Sequence, residues 1–528
     1  MNNMKRLLVI FLTISLMKTL LCGCFLSGSE PDDNYRVYYE IFVHSFADGN
    51  GDGIGDFKGA ADKISYVKEL GATGIWLMPI MPSDTYHKYD VNDYKAIDPE
   101  YGTMEDFEKF LKVCHDNGIR VIIDMVLNHT SDTNPWFTEA AEYLRGLPDG
   151  AEPDLNVCKY VDYYNFSKTQ INGNYYPLEG TDYYYEGVFW EEMPALNLAC
   201  EPLREEIYDI FDFWIDKGVD GFRMDAVAHY NEEDQDFNIR TISELYNYCQ
   251  SKNSDFYMVE EIWGSKMLIA DYYRSGVLSN FNFDLAGSEG KIIKAARGTL
   301  KAEGLAKAMI SYEEDFMEEN PLYIDAPFVT NHDMGRVSNA LMSDEAAIKF
   351  AGGLNLIMRG SPFIYYGEEI GMKSKGTKDE NKRLAMNWGD DKYMCLDPED
   401  ADDGIVQTFA SVSGQDEDES SILNYYKNAI KVRRSNPAIA RGRTEILAYY
   451  NDGNVAVIKR AWEDKVNIIV INTGEDYVAD FSDIDGAGYG ITLDELKVCG
   501  QMTVDIADEV SYENLQLTIP AKGIVVMK

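Results

Sequence analysis

Apolar residues follow a repeating order along most of this chain: short β-branched or aromatic runs alternate with amphipathic stretches. Val37 to Val43, Gly74 to Met78 and Arg120 to Val126 read as strands, with Lys58 to Leu70 and Met104 to Asn117 as helices between them. The alternation stops between Thr130 and Asn197, where Tyr, Asn, Gly and Pro dominate, and this stretch reads as an inserted subdomain. It resumes with helices over Leu203 to Lys217 and Glu233 to Ser251 and strands over Val219 to Met224 and Phe256 to Ile262. Further strands are predicted at Asn280 to Leu285, Ala326 to Thr330 and Phe363 to Tyr366, and a last helix at Ile422 to Arg434. Repeated βα units imply a parallel sheet, and eight such strands favour a closed (β/α)8 TIM barrel over an open doubly wound sheet. From Thr444 the pattern changes to short runs such as Val455 to Lys459, Val466 to Ile471 and Gly523 to Met527, separated by Gly, Asp and Asn. That tail reads as an all-β domain.

The N-terminus lies outside this rhythm. Lys5 and Arg6 precede an apolar run, Leu7 to Leu21, broken by Lys18, which is a secretory signal and too short for a confident membrane span. Leu21-Cys22-Gly23-Cys24 resembles a bacterial lipobox, which would leave Cys24 carrying lipid. The expected organisation is a lipoprotein signal peptide at 1–23, a lipid-anchored linker at 24–35, a catalytic barrel at 36–129 and 199–440, the inserted subdomain at 130–198 and the C-terminal β domain at 441–528. The protein would then be extracellular, held at the bacterial cell membrane by its anchor alone, and monomeric. The remaining cysteines, Cys114, Cys158, Cys200, Cys249, Cys395 and Cys499, are scattered without a CxxC pair and are expected to be free thiols.

Charge narrows the partners. Lys and Arg number 48 against 90 Asp and Glu, a net charge of −42, so nucleic acid and other polyanions would be repelled. A neutral substrate is compatible with that field, and 36 Tyr residues offer rings and hydroxyls suited to one.

The C-terminal ends of barrel strands supply catalytic groups. Four segments put carboxylate, His or Arg there: Asp124 to His129, Gly221 to Asp225, Val259 to Trp263 and Phe328 to Asp333. Acids crowded at one mouth repel, so one should stay protonated at neutral pH while Arg223 keeps another ionised. Glycosidic bond cleavage requires such a division of labour.

These segments, in order and spacing, resemble the defining regions of the alpha-amylase family of glycoside hydrolases, and the resemblance covers nearly the whole mature chain. Met193 to Leu198, Tyr86 to Asp90, Ile97 to Thr103 and Pro362 to Glu369 extend it. The resemblance implies Asp225 as nucleophile, Glu261 as general acid and base, and Asp333 as transition-state stabiliser. Arg223 would hold Asp225 ionised, while Tyr89, His129 and His332, with Asp90 and Asp124 close by, would bind the sugar under attack. Trp190, near Met193, is a further sugar-contact candidate. The mechanism would be retaining, with about 5 to 5.5 Å between the Asp225 and Glu261 carboxylates. Two departures stand out: Glu260 where a small residue usually precedes the acid, and Lys88 where Gly is usual.

A separate segment, Asp48 to Asp56, alternates oxygen donors with glycines, an arrangement that suits a hard cation such as Ca²⁺. It resembles the first βα loop of oligo-1,6-glucosidases, in which Asp48, Asn50, Asp52 and Asp56 would ligate Ca²⁺ by side chain and Ile54 by carbonyl. The expected activity is hydrolysis of α-1,4 bonds in starch and malto-oligosaccharides, since Ala226 follows the nucleophile where isomaltose-cleaving relatives carry Val. The alternatives are an alpha-glucosidase, oligo-1,6-glucosidase or neopullulanase acting on short oligosaccharides, and, more remotely, a glucan-binding protein without catalysis.

Overall fold

The computed structural model describes residues 33–528, apart from 149 and 390. The predicted signal peptide and the lipobox with Cys24 lie outside the described residues.

Seven parallel strands share one sheet: β1 (Tyr38–Ile41), β2 (Gly74–Leu77), β3 (Arg120–Met125), β4 (Gly221–Met224), β5 (Tyr257–Glu260), β6 (Ser279–Asn280) and β7 (Phe363–Tyr365). β7 pairs back onto β1, with Tyr38 opposite Phe363, so the sheet curls round on itself. β1, β2, β4 and β5 are buried along their whole length. Strands covered on both faces read as unbroken apolar runs, not as alternating ones.

The remaining place in the barrel is filled by the extended segment 325–329. A single parallel bridge, Phe281 to Ala326, joins it to the β6 side, and the Phe363 amide donates to the Pro327 carbonyl at 2.9 Å on the other. The expected strand from Ala326 to Thr330 thus follows the right path without a regular ladder, because Pro327 has no N–H to give. Inside the barrel, Tyr38 stacks between Phe363 at 4.7 Å and Tyr257 at 5.1 Å, each contact contributing about 0.5–1.5 kcal/mol beyond burial. Gly74 makes room for that ring, since a Cβ there would lie 2.4 Å from it.

The helix Met104–Asp116 begins with a reciprocal capping box between Thr103 and Asp106. Its buried Phe107 packs edge-on against Trp214 of the helix Glu201–Lys217. The helix predicted across Lys58 to Leu70 is two, Phe57–Asp62 and Ile64–Leu70, divided at Lys63. At that break the Lys63 ammonium lies over the rings of Trp388 and Tyr393, 4.2 Å from each.

The insertion after β3 holds a helix, Pro135–Arg145, and a small antiparallel sheet of Phe166–Ser167, Tyr175–Pro177 and Tyr184–Glu186. That helix went unforeseen, although Asn134 caps it by accepting from the Trp136 amide and Pro135 sits at its first position, both known start signals. Tyr164, Phe166 and Tyr185 pack on Phe137, so part of the tyrosine-rich composition builds this subdomain's core.

The tail forms a sheet with the order Arg443–Tyr450, Val455–Trp462, Lys465–Asn472, Ile524–Met527, Val498–Met502, and a second, three-stranded sheet. Arg460, fully buried, ties it to the barrel by donating to the carbonyls of Ile357 at 2.8 Å and Ile439, and to Thr444 Oγ1 at 3.0 Å. A buried guanidinium without such acceptors would cost several kcal/mol. The six cysteines named above are not disulfide-bonded. Among the described residues no helix is long and apolar enough to cross a membrane.

Candidate active site

One guanidinium organises the barrel mouth. Arg223, on β4 and 1% exposed, donates through Nη1 to Asp124 Oδ1 at 2.7 Å and Asp225 Oδ1 at 2.6 Å, and through Nη2 to Glu261 Oε1 at 2.9 Å. Strand register explains the convergence. Asp124 lies opposite Arg223 in the β3–β4 pair, Asp225 directly follows β4, and Glu261 directly follows β5. The amides of Asp225 and Glu261 continue the ladders, donating to Met125 O at 3.1 Å and Met224 O at 3.0 Å.

Burial pushes the Asp124 carboxyl up to about 7, with Arg223 pulling against it. Burial likewise raises Glu261 above the usual carboxylate range, opposed by Arg223. Asp333 goes the other way: burial would raise it, but His332 beside it and then Arg383 hold it well below that range. His332 Nε2 is 3.0 Å and Arg383 Nη2 2.9 Å from the Asp333 carboxylate. Burial thus raises two of these acids while basic neighbours hold a third low, the divergence that separate acid and base roles need.

A cavity of about 390 Å³ opens over these groups. Asp225, Glu261, Asp333, Tyr89 and His129 line it. Arg223, Asp124 and His332 lie beneath, buried: Tyr89 donates its hydroxyl to Asp124 Oδ2 at 3.0 Å and lies 2.7 Å from His332 Nε2. His129 donates from Nε2 to the Tyr89 carbonyl at 3.1 Å, and burial lowers its pKa, with Asp225 and Asp90 opposing. Asp90 is buried to one side, accepting from Ser83 Oγ at 2.6 Å and from Thr85 Oγ1, and is not in the lining. Trp190 is 44% exposed and also outside the lining; its neighbour Phe189 takes that place, packed edge-on against His129 at 5.4 Å and His229 at 5.3 Å.

Glu260 and Glu261 separate as strand alternation requires. Glu260 points away from the mouth and is fully buried, its Oε1 accepting from Ser275 Oγ at 3.1 Å, so Glu261 alone of the two reaches the cavity. Lys88 has φ 65°, the left-handed region, which accounts for glycine being the usual residue there. Its buried ammonium lies 3.0 Å from Asp98 and 2.6 Å from Glu100.

Sequence reasoning missed Arg383, Asp379 and Phe189 in the lining, and Glu40 below it. Only Glu40 left a signal: an acid inside the fully buried run Tyr38–Ile41 needs a partner.

The Asp48 to Asp56 loop is a chain of side-chain turns. Asp48 accepts from the amides of Asn50, Gly51 and Gly53, Asn50 from that of Asp52, and Asp52 from that of Ile54. Asp56 caps the next helix through Oδ1, while its buried Oδ2 has no partner. Among the described residues no three His, Cys, Asp or Glu side chains converge as a ready metal site. The all-oxygen donor set and the orphaned Asp56 oxygen are nonetheless of the chemistry that Ca²⁺ takes.

Residues 40–442 match the family model "Alpha amylase, catalytic domain". The chain is 38% identical to alpha-amylase 3 of Dictyoglomus thermophilum, over 84% of this chain and 86% of that protein. It is 28% identical to a probable oligo-1,6-glucosidase 3 of Bacillus subtilis, over 78% and 85%. The structure of Eubacterium rectale Amy13B superposes with a TM-score of 0.89 at 43% identity, covering 94% of this chain and 96% of that one. A barrel mouth with Asp225 and Glu261 on one buried arginine and Asp333 lining the same cavity, matched over 40–442, identifies the chain as a member of the alpha-amylase family of glycoside hydrolases.

Proposed function

We propose that the chain is a retaining glycosidase that cleaves α-1,4 bonds in starch and malto-oligosaccharides. The observation that carries this reading is the sharing of the Arg223 guanidinium by Asp225 and Glu261. Carboxylates on one planar fork are close, as retention requires at about 5 to 5.5 Å, and leave little room for the water of an inverting enzyme. Glu261, raised by burial, protonates the departing oxygen. Asp225, held by Arg223, attacks the anomeric carbon to form a glycosyl-enzyme. Water then attacks that carbon with Glu261 as base, returning the proton and freeing Asp225. Asp333 stabilises the positive charge that develops on the sugar. The α-1,4 preference draws support from Ala226, whose φ of 49° at the cavity wall suits a small residue better than a β-branched one.

In the same reading Ca²⁺ binds the Asp48 to Asp56 loop through Asp48, Asn50, Asp52, the Ile54 carbonyl and Asp56, and braces the first βα turn. The protein works as a monomer on the outside of the cell, held to its membrane through a lipid on Cys24.

A time course of products on amylose, pullulan and isomaltose, with Glu261→Gln as control, tests the activity. Malto-oligosaccharides appearing early from amylose, released with retained α configuration by proton NMR, support it. Turnover of isomaltose alone would replace it with an oligo-1,6-glucosidase, glucose as sole first product with an alpha-glucosidase, and attack on pullulan in preference to amylose with a neopullulanase. No product from any of the three would leave a binding protein.

A further inference from the structure

Beneath the cavity, His332 is clamped from both ring nitrogens. On one side, Glu40 Oε1 from β1 lies 2.6 Å from Nδ1. The same oxygen accepts from the His332 backbone N–H at 3.4 Å, and as an ionised carboxylate it accepts from Nδ1 as well; burial raises Glu40, with His332 pulling against it. On the other side, Nε2 meets Asp333 Oδ2 at 3.0 Å and the Tyr89 hydroxyl at 2.7 Å. Asp333 is also bonded by Arg383, so its carboxylate accepts from Nε2, and the Tyr89 hydroxyl, which donates to Asp124 Oδ2, offers Nε2 a second acceptor. Both ring nitrogens thus face acceptors, the setting of an imidazolium. Its surroundings suit a cation: the Tyr89 ring stacks on it with centroids 5.4 Å apart, and Trp76 meets it at 5.6 Å. Glu40 and His332 side chains are each 1% exposed, so water does not screen the pair.

We propose that Glu40 is a positioning residue: it holds His332 doubly protonated through Nδ1, and His332 in turn fixes Asp333 as an ionised, oriented carboxylate at the cavity floor. The role given to Asp333 rests on the glycosidase reading; the state of His332 does not. Other charged groups act on the same pair. Asp124 faces His332 from β3, Arg223 faces Glu40 from β4, Arg383 bonds Asp333 from the loop after β7, and Tyr365 faces Glu40 from β7 itself. Burial draws the imidazolium down, yet Asp333 and Glu40 together take it up to about 9. Of these carboxylates only Glu40 reaches Nδ1, so its removal leaves that proton without an anionic partner.

The chain has six histidines, few enough to follow individually by nitrogen NMR of histidine-labelled full-length protein, with His332→Gln assigning the resonance. In wild type, His332 is expected to show two protonated nitrogens at pH 7. In Glu40→Gln its titration midpoint falls by about 1 to 3 units. Between pH 5.5 and 8 the ratio of wild-type to variant kcat on a chromogenic maltoheptaoside then grows about two-fold for a fall of about 1 unit and about ten-fold or more for about 2 units or more. Glu40→Asp recovers part of both effects, and thermal melts of each variant separate this from misfolding. A singly protonated His332 in wild type, or a midpoint and a kcat ratio that Glu40→Gln leaves unmoved, would overturn the proposal. If wild type keeps a doubly protonated His332 but hydrolyses no α-glucan, the clamp stands and the glycosidase reading fails.

Discussion

The Ala226 backbone N–H donates to Glu261 Oε2 at 2.9 Å, so the residue after Asp225 aims the carboxyl that works beside it. Glu261 Oε1 is meanwhile held by Arg223, and neither oxygen of that carboxyl is free to wander. In Glu261→Gln the transferable proton is lost, and the amide oxygen can accept from Ala226 or from Arg223 but not from both, since the NH2 group only donates. The variant should stay folded, melt below wild type and lose about 10²- to 10⁴-fold in kcat on maltoheptaoside. Activity within a few-fold of wild type would remove Glu261 from the acid role.

Arg223 is expected to be worth more to stability than any other side chain at the mouth. Arg223→Met strands Asp124, Asp225 and Glu261 in a buried site, and breaking buried pairs of this kind costs about 3–5 kcal/mol. Without the cation the carboxyls survive burial only by taking up protons, so the loss should be larger at pH 8 than at pH 5. Calorimetric melts at the two pH values decide it, and an equal loss at both would contradict the picture.

The wild-type protein should melt highest in weak acid. Burial raises Asp124 and Asp325 to about 7 and Glu368 to about 8, so each binds a proton in the folded chain that the unfolded chain has released above about pH 4. Such groups stabilise fully below their unfolded pKa and lose that contribution as pH rises through the folded one. Asp333, held low, acts oppositely and gives up its contribution only in strong acid. Tm should therefore decline steadily from about pH 5.5 to 8.5; a flat or rising Tm would refute this.

Calcium should raise Tm in wild type and not in Asp52→Ala. At a hundred-fold excess over Kd a single site adds about 2.7 kcal/mol, enough to read by differential scanning calorimetry against a chelated sample. Identical melts with calcium and with chelator would exclude the site.

Lys88 joins backbone and charge at one position. Lys88→Gly suits the left-handed φ of 65° but leaves buried Asp98 without its ammonium partner at 3.0 Å. Relief of strain is worth about 1–3 kcal/mol and the lost buried partner about 3–5, so the variant should be less stable than wild type. A higher Tm for Lys88→Gly would show that strain outweighs the ion pairs.

The fold was legible wherever apolar runs had clear period and punctuation. β1 to β5 were all recognisable, because a strand buried on both faces is mostly apolar, with its few charged residues bonded to partners. The segment 325–329 read as a strand from composition, but composition does not reveal that Pro327 forfeits the ladder. At the site, groups at strand ends were legible because Asp124, Asp225, Glu261 and Asp333 each lie at or just past the end of an apolar run. Groups supplied by long-range folding were not. Glu40 meets His332 across 292 positions, and Arg383 meets Asp333 across 50, with no local periodicity to link them. Phe189 and Trp190 are adjacent aromatics, and only the turn of the insertion decides which one faces the cavity.

The single bridge between Phe281 and Ala326 makes the barrel unequal around its circumference. β2 and β3 are laced by four registered pairs, whereas this junction has one, its backbone bonds from Ile324 to Leu278, Asn282 to Ala326 and Gly287 to Val329 being spread along it without a regular ladder. Local opening begins where backbone bonding is sparse. The segment on the far side of that seam runs straight on to His332 and Asp333, so the staves most ready to part carry one of the three acids. Heating should scatter the reacting groups while most of the hoop is still closed, and loss of turnover should run ahead of loss of fold.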